Sequence, residues 1–512
     1  MTDGQPSYTF REDERPKVPG APYFARHTRG RKIGYFCNGV LLALLGTFAN
    51  NLVTANLQAV GGEYGLYSAE ASWLTVAFTA MSASSALFVI KGRQQFGIER
   101  IIKTLLVGCV VAAALQLTAP CVATALLTRA VTGFTTSTGV AMAVYYVLEV
   151  LPAAKRLAAP VIILGCLQIS TPLARLVPVE LLTADSALGQ RLMDLAVPLI
   201  ELTLVLCWPL PPTPTTRVFE WADLLSVALL APGLILLVTV LALGRVRWWS
   251  DTPWLGWFAV FAVPLLAVGV LVELGRRNPA LWIGWMTHGD MLRLAAVAFF
   301  ERIAVSEQTV GAVGLLSAAG LGNDQFHGLF AMVALGMVAG ILTAVLTIGI
   351  QAIPFQVTAA MLAIGLAGWL DSFSGGETRM HELLFSQMLI GFGTTLFVGP
   401  ALMFGISRMV QAGPQFLLSM IMVFSFTQNV GALTGNALLS SLEYGFAQSH
   451  AIAMLDGSGR IAADANFASA QATLLATLDV FRVVVVIALA GALFVVAAAI
   501  RAHLMKSRQE TA

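Results

Sequence analysis

The stretch FCNGVLLALLGTFANNLVTANLQ, Phe36 to Gln58, decides the fold. It carries no charged side chain and is long enough, at about 1.5 Å per residue, to cross a hydrocarbon core about 30 Å thick. Yet its part from Thr47 to Asn56 alone holds three asparagines, Asn50, Asn51 and Asn56. A side-chain amide in hydrocarbon is costly unless it finds a partner or faces a water-filled cavity. Asn51 and Asn56 are five residues apart, a net rotation of about 140° on a helix. The polar patch is therefore wide and faces other helices or a cavity rather than lipid. Two uses stay open for it: hydrogen bonding between helices, or contact with a substrate.

Apolar runs of this kind recur along the chain. Of 512 residues 57% are hydrophobic and only 11% charged, with a mean hydropathy of +0.79. A soluble chain carries about 25% charged residues. The composition implies an all-α polytopic membrane protein. A membrane β-barrel would need alternating ten-residue strands, and these are absent. A net charge of +2 gives no signal toward nucleic acid. The first 33 residues are polar and basic, with no apolar core of a cleavable signal. Cys37, Cys109, Cys121, Cys166 and Cys207 fall in apolar runs without metal-site spacing, and read as small core residues. The six histidines show no ligand spacing, so no metal is expected. No phosphate-binding loop and no nucleophile triad stand out, so neither ATP-driven transport, nor an enzyme, nor a cofactor is expected.

Breaks at charges, prolines and glycines divide the chain into fourteen predicted membrane helices. They lie near 36–58, 72–90, 101–119, 122–147, 158–177, 191–210, 223–244, 254–274, 291–318, 327–350, 354–370, 383–408, 414–440 and 480–503. With the N-terminus in the cytoplasm, 21 of the 30 Lys and Arg fall on the inner side. That bias places both termini inside. Trp221, Trp248, Trp249, Trp254, Trp282 and Trp285 near helix ends read as interfacial anchors in membrane lipid. The longest outer loop, 441–479, reads either as a hairpin lying on the membrane or as a docking surface for a partner.

Several stretches, in order, resemble one family. ASWLTVAFTAM at 71–81 is similar to its second-helix opening. KGRQQFGIER at 91–100 lies at its basic, glycine-containing loop and keeps Gly92, Arg93 and Gly97, but lacks the usual aspartate. LLTRAVTGF at 126–134 resembles its fourth-helix Arg-x-x-Gln-Gly, with Arg129 and Gly133 kept and Thr132 in place of glutamine. LGCLQISTPLAR at 164–175 keeps only Gly165 and Pro172 of its fifth-helix antiporter motif. QNVGALTGNALL at 428–439 resembles its glycine-rich thirteenth helix. The family is the fourteen-helix drug:proton antiporters of the major facilitator superfamily, the EmrB/QacA type.

The resemblance implies two six-helix bundles, at 34–210 and 291–503, joined by two inserted helices within 211–290 and flanked by cytoplasmic tails at 1–33 and 504–512. It implies proton-coupled export of a small hydrophobic or amphiphilic molecule across a bacterial inner membrane. A periplasmic adaptor and an outer-membrane channel would be the partners. Substrate would sit between the bundles, and rocking would give alternating access. The substrate cavity would take Asn50, Asn51, Asn56, Gln308, Gln428 and Asn429. The conformational motif would take Gly92, Arg93, Gly97, Gly133, Gly165 and Pro172.

The family's first-helix pattern places an aspartate five residues before an asparagine. That spacing here falls on Asn51 and Asn56, so an amide stands at the usual proton site. The coupling charge must then come from elsewhere. Arg129 is charged within a span; Asn50 and Asn51 would offer it carbonyl oxygens, and its charge would couple the proton or attract an anionic substrate. AFFERIAVSEQTVGA in the ninth helix supplies Glu301, Arg302, Glu307 and Gln308. Intramembrane carboxylates are functional candidates, and desolvation suits such groups to proton exchange. Glu301, with Glu307 second, is the expected proton carrier. Asp194 and Glu201, seven residues apart on the sixth helix, share a face and rank lower. An exporter of an anionic metabolite and a non-transporting scaffold or sensor remain as alternatives.

Overall fold

The structure, a computed structural model, describes residues 21–152, 155–215, 220–458 and 465–510. It is all helical among these residues. The first apolar run forms α1 (Arg29–Leu45) and α2 (Phe48–Ala55), broken at Gly46–Thr47, with a short α3 (Leu57–Glu63) beyond Asn56. α1 starts seven residues earlier than expected, because the Thr28 hydroxyl accepts the Arg31 backbone N–H and caps it. Next come α4 (Ser68–Phe96), α5 (Ile98–Thr118), α6 (Val122–Val150), α7 (Ala158–Arg175) and α8 (Glu180–Cys207). The α4–α5 turn is a single residue, Gly97, at φ +82°, a conformation that disfavours any side chain. α8 breaks at Ala184–Ala187, so its straight portion begins near the expected 191.

α9 (Trp221–Leu243) and α10 (Pro253–Leu274) form an antiparallel pair, and a one-turn α11 (Ile283–Met286) follows. α12 (Gly289–Val305) runs through a π-helical segment, Gln308–Ala312, into α13 (Val313–Ala318). α14 (His327–Leu346), α15 (Ile353–Asp371), α16 (Leu384–Ala412), α17 (Leu417–Ser458) and α18 (Ala465–Glu510) complete the chain. Eleven helices among the described residues are long and apolar enough to cross a membrane.

Two bundles result. The first packs α1 and α5 to α8 around Tyr35, Leu42, Ile102, Leu106, Met142 and Val205. The second packs α12 and α15 to α18 around Leu294, Ala298, Met361, Phe397 and Val484. Small residues let the bundles touch. Gly165 of α7 meets Ile341 of α14, and Gly399 of α16 meets Val161 of α7. Within the first bundle, a Cβ on Gly133 would lie 2.3 Å from the Phe78 carbonyl oxygen, so α4 and α6 approach backbone to backbone. The α9–α10 pair lies against α4, with Leu230 and Leu234 on Ala86 and Leu87, and Val238 on Ala80 and Ala83.

The segment 441–479 departs from its reading as an outer loop. α17 continues to Ser458 and α18 begins at Ala465, and the two helices pack together, while 459–464, with part of the DGSGR segment, lie outside the described residues. The two helices are joined by Thr477 to Glu443 at 2.9 Å and His450 to Asp479 at 2.8 Å. Arg245, Trp248 and Tyr444 stack together.

Candidate functional site

Arg129 is 1% exposed. Its expected amide partners, Asn50 and Asn51, do not reach it. Its Nη1 donates to the Ala49 backbone carbonyl at 3.0 Å, and its Nη2 pairs with the Asp194 carboxylate. Ala49 lies one residue from Asn50, so the right turn of helix was found but the wrong atoms. Asp194, ranked low from sequence, is the counter-ion. It also accepts from Gln190, whose Oε1 accepts from the Tyr64 hydroxyl at 3.2 Å; Gln116 donates to that hydroxyl at 3.0 Å. The arginine charge is thus neutralised and networked within the first bundle.

The asparagines part company. Asn51 Nδ2 lies 3.2–3.3 Å from the hydroxyls of Thr47, Ser170 and Thr171, tying α2 to α7. Asn56 bonds back to the Leu52 carbonyl in its own helix, at 3.1 Å. Asn50 is 7% exposed and its Oδ1 has no partner. It lines a cavity shared with Thr47, Thr132, Thr135, Thr136 and Glu201.

The second bundle holds its acids differently. Glu301 is fully buried, and neither carboxyl oxygen has a hydrogen-bond partner. Arg302 beside it turns away and donates from Nε to the Gln428 carbonyl of α17 at 3.4 Å. Glu307, also fully buried, is within hydrogen-bond reach of Asp371, the last residue of α15. Gln387 Nε2 bridges them, 2.9 Å from Asp371 and 3.3 Å from Glu307, and Gln308 donates to the Gln387 carbonyl at 3.3 Å. No salt bridge to a cation joins this pair among the described residues. Two unit charges about 4 Å apart repel by about 4 kcal/mol at an effective dielectric near 20. One proton shared between the two acids would remove that repulsion. The π-helical turn starts at Gln308; an inserted residue of this kind re-aims side chains and recurs at functional sites.

Gln308 therefore joins Glu307 rather than Glu301, although the heptad spacing put it on the face of Glu301. Asn429 bonds to Ser425 within α17, and the Gln428 amide nitrogen is buried without a partner. The six predicted cavity residues do not converge on one pocket. Asp371 and Gln387 were not anticipated: Asp371 falls one residue beyond the expected end of its helix.

The motif residues have structural partners. Arg93 is buried and donates to the Tyr145 hydroxyl at 2.7 Å. Gly92 faces Ile101, and Pro172 is buried within α7. Lys91 pairs with Asp223 of the inserted α9. Asp223 also takes Arg276 at 2.6 Å, and Arg276 reaches Glu220 at 3.0 Å and Glu273 at 2.9 Å. Burial opposes the Arg276 charge, but these three carboxylates outweigh it and raise its pKa. The network pins the inserted pair to α4, and charges at helix ends gave no sign of it in the sequence.

No family model and no curated protein sequence matches the chain. Solved structures do. The human organic anion transporter MFSD10 (TETRAN) is 14% identical, over 90% of this chain and 100% of its own, with a TM-score of 0.56. A bacterial homologue of the human drug peptide transporters PepT1 and PepT2 is 16% identical, over 93% and 99%, at 0.58. The proton:xylose symporter XylE, of the major facilitator superfamily, is 12% identical, over 91% and 96%, at 0.51. The chain has the major facilitator fold, with eleven helices among the described residues long and apolar enough for a multi-pass membrane protein.

Proposed function

We propose that the protein is a secondary active transporter that exports a small hydrophobic or amphiphilic organic molecule by rocking of its two bundles, driven by protons. The observation that carries the proton coupling is the buried Glu307–Asp371 pair, bridged by Gln387 and lacking a cation. Glu301, unpartnered one turn and a half away, is the second candidate carrier. Fourteen membrane spans, with both termini on the cytoplasmic side of a bacterial inner membrane, complete this reading. The antiporter direction and the drug-like substrate rest on the motif resemblance. An adaptor, if one is used, would meet the α17–α18 hairpin.

The pairing of Arg129 with Asp194 weighs against an exporter that selects an anion through Arg129, since that charge is already neutralised. The test uses purified protein in proteoliposomes, an imposed pH gradient and a lipophilic dye. Gradient-driven efflux in wild type that Glu307→Gln or Asp371→Asn abolishes supports the assignment. Efflux that survives both and stops in Glu301→Gln moves the proton site to Glu301. Efflux that survives all three rejects proton coupling through these acids. No efflux of any tested dye in wild type favours the scaffold reading.

A further inference from the structure

The first bundle contains an acidic group that none of the networks above uses. Glu201 on α8 makes no hydrogen bond and no ion pair among the described residues. It lines the cavity that lies between α1–α2, α4, α5, α6 and α8. Most of the polar atoms around it accept, the Asn50 amide nitrogen and the Thr47 hydroxyl being the donors of the lining.

Asn50 is more than nine-tenths buried, lines the cavity, and leaves its Oδ1 without a donor. Thr132 gives its hydroxyl proton to the Thr128 carbonyl at 2.7 Å, Thr135 to Val131 at 2.9 Å and Thr136 to Thr132 at 3.1 Å. A hydroxyl has one proton and two lone pairs, so these three oxygens can only accept from the cavity. The helix break at Gly46–Thr47 borders the same space. There the backbone ladder lapses between the Gly46 bond to Leu42 and the Asn51 bond to Thr47. Carbonyls at broken membrane helices are a recurrent source of cation ligands.

The nearby charges do not supply a counter-ion. Asp194, two turns along α8, is spent on Arg129 of α6, and Arg129 is filled by Asp194 and the Ala49 carbonyl. α5 contributes the neutral Cys109, and α1, α2 and α4 contribute no charged side chain to the lining. A half-buried carboxyl beside this many acceptor oxygens, with no cation facing it, favours a positive occupant.

We infer that this cavity is a monovalent-cation site, with Glu201 as the charged ligand and the oxygens of Asn50, Thr132, Thr135 and Thr136 as neutral ones. The cation is either a proton carried on Glu201 and donated to Asn50 Oδ1, or a sodium ion held by the carboxylate and the neutral oxygens. The site stands on its own geometry, whether or not the transport reading holds.

The experiment uses the full-length protein in detergent, without substrate. Thermal unfolding is followed while NaCl replaces choline chloride at constant ionic strength, across pH. Infrared difference spectra follow the protonated-carboxyl band over the same pH range. A sodium site predicts stabilisation by Na+, with apparent affinity lowered about ten- to hundredfold in Glu201→Gln, as for loss of a charged partner. A proton site predicts no Na+ response and a protonated-carboxyl band that Glu201→Gln removes. Asn50→Ala, which keeps the acid, weakens the Na+ response or shifts the band, and it carries the test if Glu201→Gln does not fold. Glu63→Gln, at an exposed carboxylate, changes neither readout. If wild type shows neither response, or both cavity variants keep it intact, the site is wrong. Binding that is intact beside absent flux would instead overturn only the transport reading.

Discussion

Glu201 apart, the two bundles treat their acids in opposite ways. In the first, Asp194 meets Arg129, and Glu149 meets His27 at 2.9 Å. In the second, Glu307 and Asp371 meet each other through an uncharged glutamine, and Glu301 meets nothing. A balanced pair is at rest in one protonation state. A pair of acids without a base changes its hydrogen bonding whenever a proton leaves or arrives. The contrast assigns a holding role to the first set and an exchanging role to the second.

The largest expected effect tests the holding role. Asp194→Leu leaves a fully buried guanidinium with only the Ala49 carbonyl, and should lower stability by about 3–5 kcal/mol. Arg129→Met should cost a similar amount by orphaning Asp194. The double variant should recover most of the loss, because the desolvation of two charges disappears along with their attraction. Thermal unfolding in detergent reads all three. If either single variant is as stable as wild type, the pair does not hold the bundle, and Arg129 returns as a candidate for coupling.

The same measurement on the second bundle should give a small number. The glutamine of Glu307→Gln can donate to Asp371 in place of a shared proton, so this variant should change stability by less than about 1.5 kcal/mol. Its effect should appear in flux instead, as a loss of about ten- to hundredfold in gradient-driven efflux, the range of ordinary coupling energies. A destabilisation equal to that of Asp194→Leu, with flux per folded molecule unchanged, would erase the contrast and make the carboxyl pair structural.

An intermediate case is the network at the inserted helices. Asp223 holds both Lys91 and Arg276, at 7% side-chain exposure. Asp223→Asn should cost about 1–3 kcal/mol, less than Asp194→Leu, because Arg276 keeps Glu220 and Glu273. Proteolysis between α8 and α9, compared with wild type, should show the inserted pair loosened while the two bundles persist.

These residues also show what was legible in advance. Apolar runs announce helices in lipid because backbone groups there must bond within one segment, so expected and observed helices agree to a few residues along most of the chain. The signal stops where water begins. The α17–α18 extension is polar enough to read as a loop, and the start of α1 depends on a single cap at Thr28. Arg129, Glu301 and Glu307 were legible because a charge inside a span is rare and costly. Their partners were not. Asp371 and Asp223 sit at helix ends, where a charge is ordinary. Asp194 follows a backbone break at 184–187 that hides its depth. Asn51 marked the missing proton site, yet its observed role is a hydroxyl cluster on α7, which only the approach of that helix creates.

The smallest effect concerns Glu149, the acid of the first bundle that meets His27. His27 lies in the segment before α1, which docks through the Tyr23 bond to Pro212 and Phe24 beneath Arg156. Burial, with Arg31 and Lys32 nearby, lowers the His27 pKa below its ordinary 6.5. The unfolded or undocked segment therefore binds a proton more readily than the docked one. The His27 contribution to docking is fully present above pH 6.5 and is lost as pH falls through the interval down to the depressed value. Limited trypsin cleavage at Arg26 and Arg29 should accelerate between neutral and mildly acid pH, while cleavage elsewhere stays level. His27→Gln, which cannot charge, should abolish that pH dependence. Cleavage that instead slows on acidification would mean that protonated His27 gains more from Glu149 than it loses by burial. The first bundle would then hold, besides Glu201, an exchanging group at its margin.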